Sequence, residues 1–325
     1  MALAITPLGV LETFRSLKRL QPRFETALWL GPFRAADEYS QLWKRHISKY
    51  DLEEYAMAKV VIITGISSGM GRAAALYFQK QGFEVYGGAR RVERLVDLQE
   101  QGIHTQELDV TDKLSVRGLV DHVISEEGHV DVLINNAGYG EYGPLEEVPI
   151  ENAKKQFDVN LFGVDQITQL VLPFMRHQGS GRIVNISSIA ANVYSPLGGW
   201  YHATKAGLNM WSDVLDTEVR RFGIRSVIVQ PGLTKSEWSK IAFENARKNL
   251  VDDSPYEDLV DKLDHLFGEL GKGATSEDLA KVFYRAATDV RPKRRYYNSI
   301  MDHGMVMVAR TMPNTYRVAL NLLMK

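Results

Sequence analysis

The chain has 325 residues, 45% hydrophobic and 24% charged, with 39 Lys+Arg against 40 Asp+Glu and a net charge of −1. This balance argues against a nucleic-acid binder held by a broad basic surface, and the absence of cysteine excludes disulfides, cysteine-ligated zinc, iron–sulfur clusters and thiol nucleophiles. At about 150 residues per domain the length alone predicts roughly two domains, although one large α/β domain also fits.

Residues 1–56 differ in texture from the rest. Phe14, Phe24, Trp29, Phe33, Tyr39 and Trp43 are scattered among basic residues, and Pro7, Pro22 and Pro32 cut the segment into short pieces. Leu11, Phe14, Leu17 and Leu20 share one side of a helix. The segment is read as a partly ordered extension. A targeting presequence, against which Glu12, Glu25, Asp37 and Glu38 count, and an arm packed on a partner subunit stay open as alternatives. Met1–Leu11 is apolar but lacks a basic start, which argues against a secretory signal, and no apolar run approaches the ~18 residues of a membrane span. A cytoplasmic protein is expected, its functional core beginning at Met57.

From Ala58 the pattern becomes regular. Strands are predicted at Lys59–Thr64, Phe83–Gly88, His104–Leu108, Val132–Ile134, Arg182–Ile186 and Arg225–Val229. Helices are predicted at Gly69–Gln81, Val92–Gln101, Ser115–Glu127, about 150–177 and Trp200–Arg221. Short β-branched runs alternating with helices mean βαβ units, hence an α/β fold with a parallel sheet covered on both faces. Residues 235–290 break the rhythm with helices bearing acidic clusters at Asp252–Asp253 and Glu257–Asp258. Ligands bind beyond the carboxyl ends of such strands, so this stretch is expected to be a helical lid, a solvated helical face being the alternative. A last strand follows at Pro292–Ser299, and residues 301–325 form a tail of apolar helices split near Pro313.

Thr64-Gly65-Ile66-Ser67-Ser68-Gly69-Met70-Gly71 joins the first strand to the first helix. The glycines let the backbone turn tightly and approach a pyrophosphate, and the helix points its free N–H groups and positive dipole end at the phosphate. A glycine turn that merely makes a corner is the alternative, but the strand before and helix after fit a Rossmann-type doubly wound sheet. The second strand ends Gly87-Gly88-Ala89-Arg90-Arg91. An acid there would hold the ribose 2′-hydroxyl of NAD; a guanidinium instead binds a 2′-phosphate. NADP is therefore expected, with Arg90 as the phosphate partner and Arg91 open to a simpler role at a solvated helix start.

Tyr201 and Lys205 are four residues apart on one helix face. A free tyrosine, with a pKa near ~10, is a poor base at neutral pH, and a nearby ammonium favours its phenolate. Thirteen residues before Tyr201, at a strand end, lies Ser188, whose hydroxyl is suited to bond a substrate oxygen while Tyr201 exchanges its proton. Aromatic residues near these motifs (Tyr139, Tyr142, Tyr194, Trp200, Trp238) suit a bulky apolar pocket, or simply core. His177 and His303 lack ligand-spaced partners, so no metal site is expected; His202 reads as a spacer, and no nucleophile elbow supports a hydrolase.

With Asn135-Asn136-Ala137-Gly138, Asn160 and Pro231-Gly232 in the same order and spacing, residues 58–300 are identified as resembling the short-chain dehydrogenase/reductase family. The resemblance implies that Tyr201 is the general acid/base, and that Lys205 lowers its pKa and holds the nicotinamide ribose. Ser188 orients the carbonyl, and Asn160 holds a water in a proton relay to Lys205. Gly65, Ser67, Ser68, Gly69, Met70 and Gly71 cradle the diphosphate, and Asp109 and Val110 lie beside the adenine. Asn136, Ala137 and Gly138 line the cleft, and Pro231 and Gly232 belong to the same cofactor-binding set. Ser236 replaces the threonine usual five residues after the proline, keeping its hydroxyl near the carboxamide, and Thr234 replaces a usual valine. The tail resembles the 17β-hydroxysteroid and retinol dehydrogenase-like branch, which implies a lipophilic carbonyl or alcohol substrate; an oligomer contact or a membrane-surface anchor stays open as the tail's role. Subunit pairing through the long helices implies a homodimer or homotetramer. The expected activity is hydride transfer between NADP(H) and such a substrate. A non-catalytic NADP-binding sensor is the alternative, and the presence of both Tyr201 and Lys205 counts against it.

Overall fold

The computed structural model describes residues 58–234, 237–270 and 273–324. The reading of residues 1–56 and the placement of Ser236 lie outside the described residues. Seven strands form one sheet: β1 Val60–Thr64, β2 Glu84–Ala89, β3 His104–Glu107, β4 Val132–Asn135, β5 Gly181–Ile186, β6 Ile224–Gln230 and β7 Arg295–Tyr297. Their order is β3-β2-β1-β4-β5-β6-β7, and every pairing is parallel. Going outward from β1 the chain runs one way to β2 and β3 and then returns to β4 on the other side, a reversal that opens a crevice at the strand ends.

The strands are buried on both faces because their alternate residues feed two cores. Val61 and Ile63 join Phe78, Leu98, Leu279 and Phe283 on one side. Val60 and Ile62 join Leu119, Val123, Ile167 and Val171 on the other. The first side is covered by α1 Gly69–Lys80, the short α2 Val96–Glu100 and α9 Ser276–Thr288; the second by α3 Lys113–Glu127, α5 Gly163–Gln178 and α6 Gly199–Val219. Thr275 and Asp278 close a reciprocal capping box at the start of α9.

Several boundaries differ from the periodicity. The helix predicted over Val92–Gln101 is a 3₁₀ turn at Val92–Arg94 followed by α2. Only Leu95 and Leu98 point inward there, while Val92 and Val96 are exposed, so the segment lacks an apolar stripe long enough for three turns. The long helix near 150–177 is α4 Ile150–Phe157, a π-helical turn at Asp158–Phe162, then α5. The last strand is only Arg295–Tyr297. Residues 237–270 supply α7 Glu237–Lys248 and α8 Glu257–Leu270, and the tail supplies α10 Ile300–Thr311 and α11 Pro313–Leu323. No helix among the described residues is long and apolar enough to cross a membrane.

Candidate active site

The site lies where β1, β4, β5 and β6 end. Thr64 closes β1, and its Oγ1 accepts the N–H groups of Asn136 (3.0 Å) and Ala137 (2.9 Å). The Asn136 amide returns two bonds, to the carbonyls of Thr64 (2.9 Å) and Gly65 (3.2 Å). The loop after β4 therefore clamps the loop after β1. A Cβ on Gly71 would stand 2.3 Å from the Gly65 carbonyl oxygen, so only glycine lets the first helical turn meet the loop. Gly69 adopts φ +56°, and a methyl there would project into open space with nothing within 4 Å. Ser68, at the N-cap of α1, makes no side-chain capping bond, and the first turn holds no acid. The first-turn N–H groups are thus left to an anion, which the helix dipole favours. The loop Gly65–Gly71, with Ser67 and Ser68 half-buried in it and Met70 just inside the helix, fits a diphosphate.

Of the two arginines after β2, Arg91 reaches this loop, with Nη2 3.4 Å from the hydroxyls of both Ser67 and Ser68. Arg90 is exposed and acts on Tyr139 instead. Burial pushes the Tyr139 phenol up to about 12, and the charge of Arg90 opposes that rise. The sequence alone favours Arg90 for this place, and nothing in the spacing singles out Arg91. The Asp109 carboxylate accepts from the Thr111 N–H (2.9 Å) and hydroxyl (2.7 Å), which shapes the turn after β3. Val110 is buried, and its carbonyl accepts from Gln166 (3.0 Å).

The reactive groups converge from α6, the end of β5 and the π turn. Ser188 caps a 3₁₀ turn at Ile189–Ala191; its Oγ accepts the Ala190 N–H (3.1 Å) and donates to the Pro231 carbonyl (3.3 Å). Tyr201 and Lys205 stand on the buried face of α6, each 6% exposed. Lys205 Nζ donates to the Ile186 carbonyl (2.8 Å) and lies 5.8 Å from the Tyr201 ring centre. Burial pushes the Tyr201 phenol up to about 12, against the opposing hydrogen bond with Ser188. The same burial brings the Lys205 ammonium down to about 8. In this arrangement desolvation outweighs the lowering of the Tyr201 pKa expected from Lys205. Asn160 is fully buried; its amide donates to the Tyr139 carbonyl (2.9 Å) and Thr204 Oγ1 (3.2 Å), and its Oδ1 accepts the Tyr139 N–H (3.1 Å). A Cβ on Gly138 would lie 2.9 Å from Asn160 Oδ1 and 3.6 Å from Lys205 Nζ, which places those three residues side by side. A methyl on Gly232 would collide with the Asp302 carboxylate at the start of α10.

An apolar cover adjoins these groups. Tyr142, Leu197, Tyr201, Phe243 and Leu263 form one buried cluster, with Trp238 and Phe267 packed against it. The Trp238 ring lies 4.9 Å from that of Tyr201 and 5.6 Å from that of Tyr142. Helix α7 is tied to the loop after β4 by Asn245, which donates to the Gly140 carbonyl (3.0 Å), and α7 is followed by Asn249, which donates to Glu141 and the Tyr142 carbonyl (both 2.8 Å). Of the aromatic residues singled out by sequence, Tyr142 and Trp238 join this cluster, Trp200 turns to Phe157, and Tyr194 meets Tyr316 in the tail.

Sequence reasoning missed three supports. His202 is not a spacer: its ring bridges Ala190 and Ser195. Thr204 links Asn160 to the Tyr201 carbonyl (2.8 Å). A buried polar chain runs from Thr168 through Asn135 and Asn185 to Ser212 and Ser226, fastening β4, β5, β6 and the helix of Tyr201. Only the run of polar residues on the inner face of α6 hinted at it.

A glycine loop at the crevice of a doubly wound sheet, with a buried tyrosine and lysine on the helix beyond β5, is an arrangement suited to a dinucleotide-dependent oxidoreductase. The short chain dehydrogenase model matches residues 59–247. The probable short-chain type dehydrogenase/reductase VdlC of Helicobacter pylori strain J99 is 32% identical over 258 residues, covering 79% of this chain and 94% of that protein. An NADPH-dependent 3-dehydrocapnine reductase of Ornithobacterium rhinotracheale is 31% identical over 250 residues, covering 73% and 87%. The crystal structure of a short-chain dehydrogenase from Streptomyces avermitilis superposes with a TM-score of 0.65 at 29% identity, covering 82% of this chain and 96% of that one. The chain belongs to the short-chain dehydrogenase/reductase family, whose members are oxidoreductases that use nicotinamide cofactors.

Proposed function

We propose that this enzyme transfers a hydride between NADP(H) and a carbonyl or secondary alcohol on a lipophilic small molecule, with Tyr201 as the acid/base. The observation that carries the reading is the convergence of Ser188, Tyr201, Lys205 and Asn160 beside the glycine cradle. The nicotinamide, when bound, supplies or accepts the hydride. Ser188 holds the substrate oxygen, and its bond with Tyr201 aims the phenol at the same atom. In the reductive direction the Tyr201 hydroxyl donates its proton to that oxygen; its high pKa keeps it protonated beforehand. Lys205, anchored by Ile186, brings a cation beneath the ring of Tyr201 and would hold the nicotinamide ribose. Asn160 and the Tyr139 backbone form the back of the proton path. Arg91, poised over Ser67 and Ser68, supports a 2′-phosphate and hence NADP, with Arg90 as the second cation nearby.

Tyr142, Trp238 and Phe243 around Tyr201 support an apolar substrate. A non-catalytic NADP sensor would have no need of Tyr201 and Lys205 in this geometry. Exposed Met210 and Val214 on α6, and Phe162 at the π turn, support pairing of subunits through the long helices, which light scattering checks. A panel of ketones, steroids, retinoids and sugars, each offered with NADPH or NADH and followed by cofactor absorbance, tests the activity. NADPH-dependent turnover of apolar ketones that vanishes in Tyr201→Phe supports the reading. Preference for NADH overturns the cofactor assignment, and preference for sugars overturns the substrate class.

A further inference from the structure

The C-terminal helices α10 and α11 present an apolar outer face. At 100° per residue, the exposed Ile300, Met301, Met307 and Val308 lie on the side of α10 opposite the buried Asp302 and Val306, and exposed Met312 caps its end. In α11, Val318 and Leu322 face away from Tyr316 and Met324, which pack inward. Met301 is 73%, Met312 53% and Leu322 65% exposed. An exposed cluster of this kind marks an interaction surface.

Charge says what covers it. Residues 290–324 carry Arg291, Lys293, Arg294, Arg295, Arg310 and Arg317 against a single acid, Asp302, which is buried. Arg294 and Arg295 are spent on Asp213, which leaves Arg310 and Arg317 exposed on the two helices themselves, and Arg291 and Lys293 exposed before β7. A second copy meeting this face about a two-fold axis would set these cations against their own images. An anionic lipid surface accepts the apolar stripe and the cations together, as interfacial amphipathic helices do. We propose that α10 and α11 dock the protein peripherally on anionic membranes. This goes beyond the hydride-transfer reading and does not depend on it.

The docking face stands next to the site. Val306 packs with Ile189 and Val193 on the turn that follows Ser188. The Tyr316 hydroxyl donates to the Tyr194 carbonyl, and their rings lie 5.1 Å apart. At the far end Lys262 of α8 donates to the Met324 carbonyl (3.0 Å). Both the serine turn and α8 therefore touch the tail on its inner side.

The test is flotation of the full-length protein with vesicles of phosphatidylcholine alone or of phosphatidylcholine mixed equally with phosphatidylglycerol. The protein is expected to float with the mixed vesicles, weakly or not at all with the neutral ones, and less as salt is raised. The double variant Met301→Glu/Leu322→Glu is expected to lose at least about tenfold in partitioning, and so is Arg310→Glu/Arg317→Glu, each with an unchanged melting curve and unchanged cofactor binding. Failure of the parent to float with mixed vesicles overturns the proposal. So does undiminished flotation of both variants, or light scattering showing that Met301→Glu/Leu322→Glu dissolves an oligomer held by the parent.

Discussion

The ring of His202 accepts the backbone N–H of Ser195 at Nε2 (3.1 Å) and lies 3.0 Å from the Ala190 carbonyl at Nδ1. Both contacts are satisfied together when Nδ1 carries the proton and the ring is neutral. The pair pins residues 190–195, the segment directly after Ser188. His202→Ala is expected to lower stability by about 1–3 kcal/mol and to reduce kcat while leaving NADPH binding unchanged. Urea melts and cofactor titration check this.

The same ring makes a pH prediction. Burial holds the His202 pKa below its ordinary value, so the unfolded chain takes up the extra proton before the folded one does. This contribution to stability is complete above the unfolded value of ~6.5 and is lost as pH falls toward the folded one. Urea midpoints measured between neutral and mildly acid pH are expected to fall more steeply for the parent than for His202→Gln.

Lys205 is held at about 8 by burial, well below its ordinary 10.5. Its stability contribution is present above the ordinary value and lost as pH falls to about 8, so at neutral pH the buried ammonium costs about 3 kcal/mol at most. Losing its bond to Ile186 offsets about 1 kcal/mol of that. Lys205→Met is expected to be more stable than the parent by about 1–2 kcal/mol at neutral pH, yet inactive and weaker in NADPH binding. A less stable Lys205→Met would contradict the dominance of desolvation.

Arg91 and Arg90 make separable predictions. Removing a charge-assisted contact to a phosphate costs about 1.5–3 kcal/mol. Arg91→Ala is therefore expected to raise KM for NADPH about 10–100-fold with little change for NADH, and Arg90→Ala to have the smaller effect of the two. Initial-rate kinetics with both cofactors decide between the two residues.

Gly71→Ala would press a methyl to 2.3 Å from the Gly65 carbonyl. The loop must then give way. Dinucleotide affinity is expected to fall together with thermal stability, whereas Gly118→Ala, in the open on α3, is expected to raise stability by about 0.5–1 kcal/mol.

Much of the fold was legible because parallel strands buried on both faces read as β-branched runs, and β1, β5 and β6 did so clearly. The cradle was legible because close approach of Gly71 to Gly65 tolerates no side chain. What stayed hidden depends on tertiary placement. Arg90 and Arg91 are adjacent in sequence, and only the geometry of the strand end decides which one crosses to Ser67. The roles of His202 and Thr204 arise from partners in distant segments, which no spacing reveals. The rise in the Tyr201 pKa was not legible, because the burial created by Trp238 and Tyr142 depends on tertiary placement.

The π turn at Asp158–Phe162 holds one residue more than an α-helical turn would. Its five residues place Asn160 in the core between the contiguous helices α4 and α5. Deleting a single residue here would let the hydrogen bonds relax to the tighter ladder and rotate α4 by about 100° relative to α5. Gln156, whose amide reaches the Tyr139 carbonyl at 3.2 Å, would swing away along with Asn160. A one-residue deletion in this turn would thus disable the proposed proton path at Asn160, without touching Tyr201, Lys205 or Ser188, and leave a helix that looks more regular than the native one.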